Sequence, residues 1–379
     1  MLKAVTSVLS ISQADWDRLA NPPGAEFNPL VSHDFFRCLE ESGCAVARTG
    51  WAPRHLTMEQ DGHLTGIVPC YRKRHSQGEY VFDYGWADAY ERAGGRYYPK
   101  MQVSVPFTPV TGPRLLADTE ERRRELASGL IALCTQEEAS SVHMTFLPER
   151  DWQALGGKLW LQRTDIQFHW MNGNYASFDD FLASLSSQKR KNIRKERASV
   201  GKAGITMHAL TGKDIMERHW DAFYDFYLDT GSRKWGSPYL NRSFFSMIGE
   251  AMNEHILLVL AERAGRLIAG ALNFIGSHAL YGRNWGAIEY HDNLHFETCY
   301  YQAIDFAIAR GLPRVEAGAQ GAHKLARGYL PQKTYSLHYL AHPGLQHAVA
   351  NYLEAERAGI DQQQLALAAH SPFRQEQDF

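Results

Sequence analysis

The chain has 379 residues, of which 44% are hydrophobic and 22% charged, and its formal net charge is -2. This apolar content is typical of a packed globular protein and argues against intrinsic disorder. The near-neutral balance excludes a basic field over the whole protein, so any polyanion site must be a local patch. At roughly 100–200 residues per domain, the length predicts two domains.

Cysteine usage and the N-terminus bear on the compartment. The five cysteines are widely spaced and form no CxxC motif. We therefore expect free thiols in a reducing compartment, with neither a disulfide framework nor a metal site. Residues 5–11 are too short and too polar for a secretory signal. No window approaches about 18 uninterrupted apolar residues, so no membrane span is expected and the cytoplasm is the predicted location.

The first half of the chain is predicted to mix short strands with helices. The predicted elements are, in chain order, helices capped by Ser12 and Ser32, strands 55–59 and 64–73, an irregular stretch 78–113 with a strand at 102–107, a helix after Thr119 and a strand at 141–147. Asp61-Gly62 between the first two of these strands is a hairpin turn signal. Leu126, Leu130 and Leu133 share one face of the helix after Thr119.

The second half repeats this order of elements. The predicted elements are a helix capped by Ser177, a basic run at 189–197, helices 213–229 and 241–253, strands 256–262 and 267–275 around Ala264-Gly265, a helix at 293–310 and a strand at 314–317. Each half thus has a hairpin followed by a helix and a short strand, which predicts a duplicated α/β unit. The predicted domains are residues 1–165 and 166–345, followed by a helical tail, 346–379.

Four segments of the second half resemble one family. They are EAGAQGAHKLARGYLP at 316–331, SQKRKNIRKER at 187–197, LYGRNWG at 280–286 and LHFETCYYQ at 294–302. These segments are similar to those of FemAB-like proteins in the GNAT superfamily, which are bacterial N-acyltransferases of the peptidoglycan type. The resemblance implies an α/β protein of two tandem GNAT-like folds, each a mixed central sheet flanked by helices, with the main site in the second. The implied reaction is amide formation by acyl transfer.

The resemblance also implies a catalytic lysine. Lys324 matches a lysine that follows an aromatic residue in the wider Fem transferases, whereas this chain has His323 before it. Lys324 is expected to stabilise the oxyanion; the alternative is a surface lysine on a glycine-rich loop. His295, with Glu297, is a candidate for the base that deprotonates the amine. Alternatively, His295 packs at the start of the helix and Glu297 favours the helix dipole.

The remaining candidate residues are expected to bind substrates. Tyr281, Arg283 and Trp285 alternate along a predicted strand and so point to one side, where they line the acceptor cleft or form a cross-strand cluster. Within the basic run, Arg190 and Arg194 share a helix face and form a phosphate-binding patch or a solvated surface. The family segments add further candidates for donor binding, namely Tyr301, Gln320, His323 and Arg327.

Three functions remain open at this point. The leading donor is aminoacyl-tRNA, bound in part by the local basic patch and used to acylate a small-molecule or peptide amine. Acyl-CoA is the alternative donor, because the GNAT fold commonly uses it. A non-catalytic GNAT-like ligand-binding protein is the alternative of another class. No tightly bound cofactor and no metal are predicted.

Overall fold

A computed structural model describes residues 1–234, 238–318 and 321–374. The chain divides into two compact units, each built from more than one segment. The first unit contains residues 1–25, 30–166 and 333–362, and the second contains residues 26–29, 167–332 and those after 362.

The helices and strands are numbered in chain order. The strands up to residue 171 are β1 Leu2–Val5, β2 Trp51–Pro53, β3 His55–Gln60, β4 His63–Val68, β5 Cys70–Lys73, β6 Lys100–Val103, β7 Ser141–Thr145 and β8 Leu161–Met171. The helices of the same stretch are α1 Gln13–Ala20, α2 His33–Glu41, α3 Tyr84–Arg92, α4 Glu120–Gln136 and α5 Glu149–Leu155.

The later strands are β9 Ile205–Thr211, β10 Ile256–Arg263, β11 Arg266–Ile275, β12 Ala279–Ala287, β13 Arg314–Glu316 and β14 Tyr329–Leu340. The later helices are α6 Phe178–Ser184, α7 Ser187–Lys202, α8 Glu217–Lys234, α9 Arg242–Ala251, α10 Leu294–Phe296, α11 Gln302–Ala309 and α12 Pro343–Ala369. A π-helical turn, Glu297–Tyr301, joins α10 to α11.

The first unit contains the predicted N-terminal hairpin. β3 and β4 pair antiparallel, and Asp61 and Gly62 both have positive φ, as a type I′ turn requires. In the neighbouring sheet β5 pairs antiparallel with β6, β6 pairs parallel with β7, and β7 pairs antiparallel with β14. α4 covers one face of this sheet. Its predicted apolar face is confirmed, because Leu126, Leu130 and Leu133 are buried in the core cluster that contains Met101 of β6.

The second unit has a similar series of strand pairs. The hairpin of β10 and β11 is confirmed, and Ala264 and Gly265 again have positive φ. β9 extends it on one side and β12 on the other, both antiparallel. β12 pairs parallel with β13, and β13 pairs antiparallel with β8. α8 packs across β11 and β12, where Gly270 and Gly286 let the helix approach closely.

Several predicted elements differ from the structure. The stretch interpreted as irregular contains α3, and the strand predicted at 102–107 ends at Val103. The helix predicted at 293–310 is interrupted by the π-helical turn. Ser12 and Ser177 accept hydrogen bonds as N-caps, whereas Ser32 makes no side-chain cap bond.

The compact units differ from the predicted domain limits at the C-terminal side. Residues 333–345 were assigned to the second domain, but they belong to the first unit. The reason is that β14 pairs with β7, from Ser336–Thr145 to Leu340–Ser141. The predicted tail begins inside α12, which is one helix that starts at Pro343.

Candidate functional site

The pairing of strands β12 and β13 in the second unit is short, because β13 ends at Glu316. Their parallel pairing ends at Tyr281–Glu316, whereas β12 continues to Ala287. Gly282 lies where they part, and a Cβ there would be 3.2 Å from the Glu316 carbonyl oxygen. We call the edge of β12 beyond the end of β13 the opening, and a strand edge of this kind can pair with an extended ligand.

Lys324 lies beside this opening. It belongs to a short 3-10 helix, Ala322–Arg327, and its Nζ donates to the carbonyl oxygens of Ala317 at 2.7 Å and Gly318 at 3.0 Å. Only 2% of Lys324 is exposed. Burial lowers the pKa of Lys324 to about 8, against the opposite effect of Cys299. An ammonium has three hydrogens, so one remains beyond these two bonds within the described residues.

Aromatic rings surround His295. Its ring centroid lies 5.1 Å from that of Trp285 and 5.3 Å from that of Tyr300. The ring of His323 lies 5.7 Å from that of Phe296, and its Nε2 is 2.9 Å from the Tyr300 hydroxyl oxygen. The imidazole of His323 therefore packs where the wider family has an aromatic residue. The structure thus brings His295 and Trp285 together with His323, the residue before Lys324.

Glu196 of α7 ties the Lys324 segment to the helices. It accepts a hydrogen bond from Arg327 Nη2 at 2.8 Å and another from the Tyr301 hydroxyl. Arg327 also donates to the His323 carbonyl oxygen, and its guanidinium lies 3.4 Å from the Phe296 ring centroid. Arg327 and Tyr301 were predicted to bind the donor. In the structure both residues contact Glu196, and their role in donor binding stays a prediction.

Glu297 is engaged in a buried ion pair. Its two carboxylate oxygens accept from Arg197 Nε at 3.1 Å and Nη2 at 3.0 Å, and Gln302 donates to it as well. Arg197 also pairs with Asp305 at 2.7 Å. A guanidinium that binds both oxygens of a carboxylate fixes its position and occupies its acceptor sites. This geometry favours a structural role for Glu297 and leaves His295 as the candidate base.

The prediction that Tyr281, Arg283 and Trp285 point to one side is wrong. A bulge shifts the β11–β12 register, so that Leu272 faces Asn284 and the next residue faces Gly282. The extra residue, Arg283, reverses the alternation of side chains. Trp285 then points to the face of His295, whereas Tyr281 is buried on the opposite face.

Two arginines of the basic run at 189–197 form ion pairs within the protein. Arg194 is exposed and pairs with Asp179 at 3.0 Å, while Arg197 turns towards Glu297. Arg190 is half-buried on the same helix, and Lys191 and Lys195 are exposed. The remaining candidate, Gln320, lies outside the described residues.

Two residues at the opening were missed. His169 of β8 is opposite Glu316 of β13, with 4.0 Å between His169 Nε2 and Glu316 Oε2. Both are buried, and Glu316 Oε2 has no hydrogen-bond partner within the described part of the chain. Burial lowers the pKa of His169, against the effect of Glu316. The sequence signals were a histidine between two aromatic residues, which more often indicates core packing, and the place of Glu316 at the start of the family segment 316–331.

Comparisons with known proteins now identify the family. The family model described as FemAB-like, peptidoglycan biosynthesis/recognition, matches residues 7–375. The chain belongs to the FemAB-like family. Membership of this family makes the chain an acyltransferase. A comparison with curated proteins gives no match.

Solved structures resemble the FemAB-like chain in fold. FemX is 12% identical, with a TM-score of 0.54, over 90% of this chain and 98% of that one. L-PGS from Bacillus licheniformis is 9% identical, with a TM-score of 0.52, over 87% and 98%. The C-terminal domain of a putative lysylphosphatidylglycerol synthetase from Agrobacterium fabrum is 8% identical, with a TM-score of 0.51, over 82% and 95%.

Residues 1–234, 238–318 and 321–374 contain neither a membrane-spanning helix nor a metal-binding cluster. None of their helices is long and apolar enough to cross a membrane. No group of three histidine, cysteine, aspartate or glutamate side chains among them is arranged to hold a metal ion.

Proposed function

We propose that the chain transfers an aminoacyl group from aminoacyl-tRNA to an amine, with Lys324 as the group that stabilises the oxyanion. The observation that carries this proposal is the buried Lys324 ammonium beside the opening between β12 and β13, which uses two of its three hydrogens in bonds to described residues. FemAB-like membership supports acyl transfer. The name of one structural neighbour, a putative lysylphosphatidylglycerol synthetase, supports an aminoacyl donor.

In the proposed reaction, the amine nitrogen attacks the acyl carbon and forms the C–N bond. The carbonyl oxygen gains negative charge and accepts the free Lys324 hydrogen, which is worth about 3–4 kcal/mol in a site shielded from water. The ester C–O bond to the tRNA ribose then breaks, and the ribose oxygen takes up the proton that His295 has received from the amine. His295, half-buried among aromatic rings, accepts the proton that the amine loses.

Kinetics of Lys324 variants test the catalytic part of the proposal. Lys324→Ala should lower kcat by roughly 100-fold while donor affinity changes little, because the oxyanion forms only in the transition state. Lys324→Arg should restore part of the rate, since a planar guanidinium cannot take the same position. The exposed Lys202→Ala is the matched control. A raised KM for the donor with normal kcat would show instead that Lys324 only binds the donor.

Donor identity needs a separate measurement. The purified protein is incubated with amine-bearing peptides and either aminoacyl-tRNA or acetyl-CoA, and the mass of the peptides is followed. We expect a mass increase of one aminoacyl group with the tRNA donor. Turnover with acetyl-CoA but not with aminoacyl-tRNA would show that the donor is an acyl-CoA, and the acyl-transfer part of the proposal would stand. Peptide binding without turnover from either donor would favour the non-catalytic alternative.

A further inference from the structure

A pocket lined by arginines lies in the first unit. It has a volume of about 300 Å³ and is lined by Ala47, Arg48, Ala52, Arg54, Arg72 and Arg74. Its base is formed by β2 and β5, where Ala52 is directly opposite Arg72. Because side chains alternate along a strand, Arg54 and Arg74 lie on the same face as this pair. The alternation thus gathers three guanidinium groups at the edge of the sheet, and Arg48 of the preceding turn adds a fourth.

Each of these arginines is held by few contacts. Arg54 Nε donates to Glu137, which follows α4, at 2.9 Å, whereas Arg72 Nε lies 3.2 Å from the same carboxylate and has no hydrogen-bond partner within the described residues. Arg74 Nη2 donates to the Ala47 carbonyl oxygen at 2.9 Å. Arg48 Nη2 lies 3.4 Å from the Gly43 carbonyl oxygen. The anchored atoms fix the directions of the guanidinium groups and leave most of their five N–H donors available.

The charge in the pocket is strongly unbalanced. Of the four guanidinium groups, those of Arg54 and Arg72 pair with Glu137, and in the described part of the chain Arg48 and Arg74 pair with no carboxylate. Like charges gathered in a concave site repel each other until an anion enters, and a low-dielectric wall strengthens the attraction for that anion. Guanidinium groups recognise phosphate oxygens in a bidentate manner.

We propose that this pocket binds a small soluble ligand through a diphosphate group. The four arginines supply more positive charge than a single carboxylate needs, which favours a polyvalent anion. The pocket is a single concavity of about 300 Å³, which fits a compact ligand rather than an extended RNA backbone. This inference does not depend on the acyl donor or on Lys324.

Calorimetric titration of the full chain with pyrophosphate tests this site. We expect binding that weakens as salt rises and that becomes roughly 10-fold weaker or more in Arg48→Gln/Arg74→Gln, because charge-assisted hydrogen bonds are lost. These two arginines are exposed, so the double variant should fold normally. The control is Arg92→Gln/Arg124→Gln, which removes the same charge from two exposed arginines on α3 and α4.

Three outcomes would contradict the proposed diphosphate site. The first is no pyrophosphate binding at low salt, and the second is an equal loss in the control variant, which would indicate general charge attraction. The third is a single-stranded RNA that binds through Arg48 and Arg74 and that pyrophosphate does not displace. Circular dichroism of both double variants confirms that folding is unchanged.

Discussion

Lys324 shows how burial can prepare a single side chain for chemistry. Its ammonium is stabilised by two backbone carbonyl groups, yet burial lowers its pKa to about 8. The charged form, which donates to the oxyanion, is therefore present below this pH and is lost as pH rises through it. The kcat of the wild type should fall above about pH 8, provided that Lys324 acts as proposed.

The Lys324→Arg variant distinguishes deprotonation of Lys324 from deprotonation of other groups. Arginine keeps its proton throughout the accessible range, so the alkaline fall of kcat should disappear in the variant, even though its maximum is lower. The measurement is kcat against pH for both proteins with saturating donor. An unchanged alkaline fall in the arginine variant would assign it to another group.

Lys100 lies in a buried charge cluster of the first unit. Its Nζ donates to Ser76 at 2.7 Å, to Glu79 at 2.6 Å and to Asp83. Lys100→Met leaves two buried carboxyl groups without their lysine, which should cost about 3–5 kcal/mol of unfolding free energy. Burial raises the pKa of Glu79 to about 7, against the effect of Lys100.

The loss in Lys100→Met should depend on pH. A carboxyl group whose pKa is raised by folding destabilises the fold as pH rises through that value, and removal of Lys100 increases this effect. The loss should therefore be larger at about pH 8 than at about pH 5. Urea unfolding at both pH values measures it, with the exposed Lys158→Met as control, for which we expect a change within about 0.5 kcal/mol. A loss of equal size at both pH values would contradict this account.

At the scale of elements, the contact between α8 and β12 depends on Gly286. A Cβ on Gly286 would lie 2.2 Å from the backbone carbonyl carbon of Phe226, so the helix or the strand must move. Gly286→Ala should lower the free energy of unfolding by about 1–3 kcal/mol. It should also lower activity, because the neighbouring Trp285 of β12 packs against His295. Thermal unfolding and kcat check this. Gly201→Ala, in open space on α7, should instead stabilise by about 0.5–1 kcal/mol. Similar effects at the two glycines would show that this contact can adjust.

At the scale of the whole molecule, each unit is assembled from distant parts of the sequence. Leu353 of α12 is fully buried in a cluster with Trp86 and Tyr97 of the first unit. Leu353→Ala should destabilise by about 2–5 kcal/mol. The exposed Leu365 lies on the same helix, and its alanine variant should change stability by less than about 0.5 kcal/mol.

Hydrogen exchange shows where the effect of Leu353→Ala falls. Amides of α3 and β7 should lose protection, whereas those of β10 should keep it, because local opening follows the unit that is weakened. Equal loss in β7 and β10 would mean that the two units open together.

The sequence alone determined those features that depend on neighbouring residues. Asp61-Gly62 and Ala264-Gly265 fix two hairpins because their backbone accepts positive φ. The spacing of the leucines fixes the buried face of α4. The segment around Lys324 carried the resemblance to the family that the comparison confirmed.

Only the tertiary structure decided the features that depend on distant partners. The bulge at Arg283 arises from pairing with β11, so periodicity along β12 alone placed Tyr281 and Trp285 on the same side. Glu297 became part of an ion pair because Arg197, far away in sequence, reaches it. Residues 333–340 joined the first unit because β7 pairs with β14. Cross-strand register and buried charge pairing are contacts between remote segments, and local patterns carry no information about which segments meet.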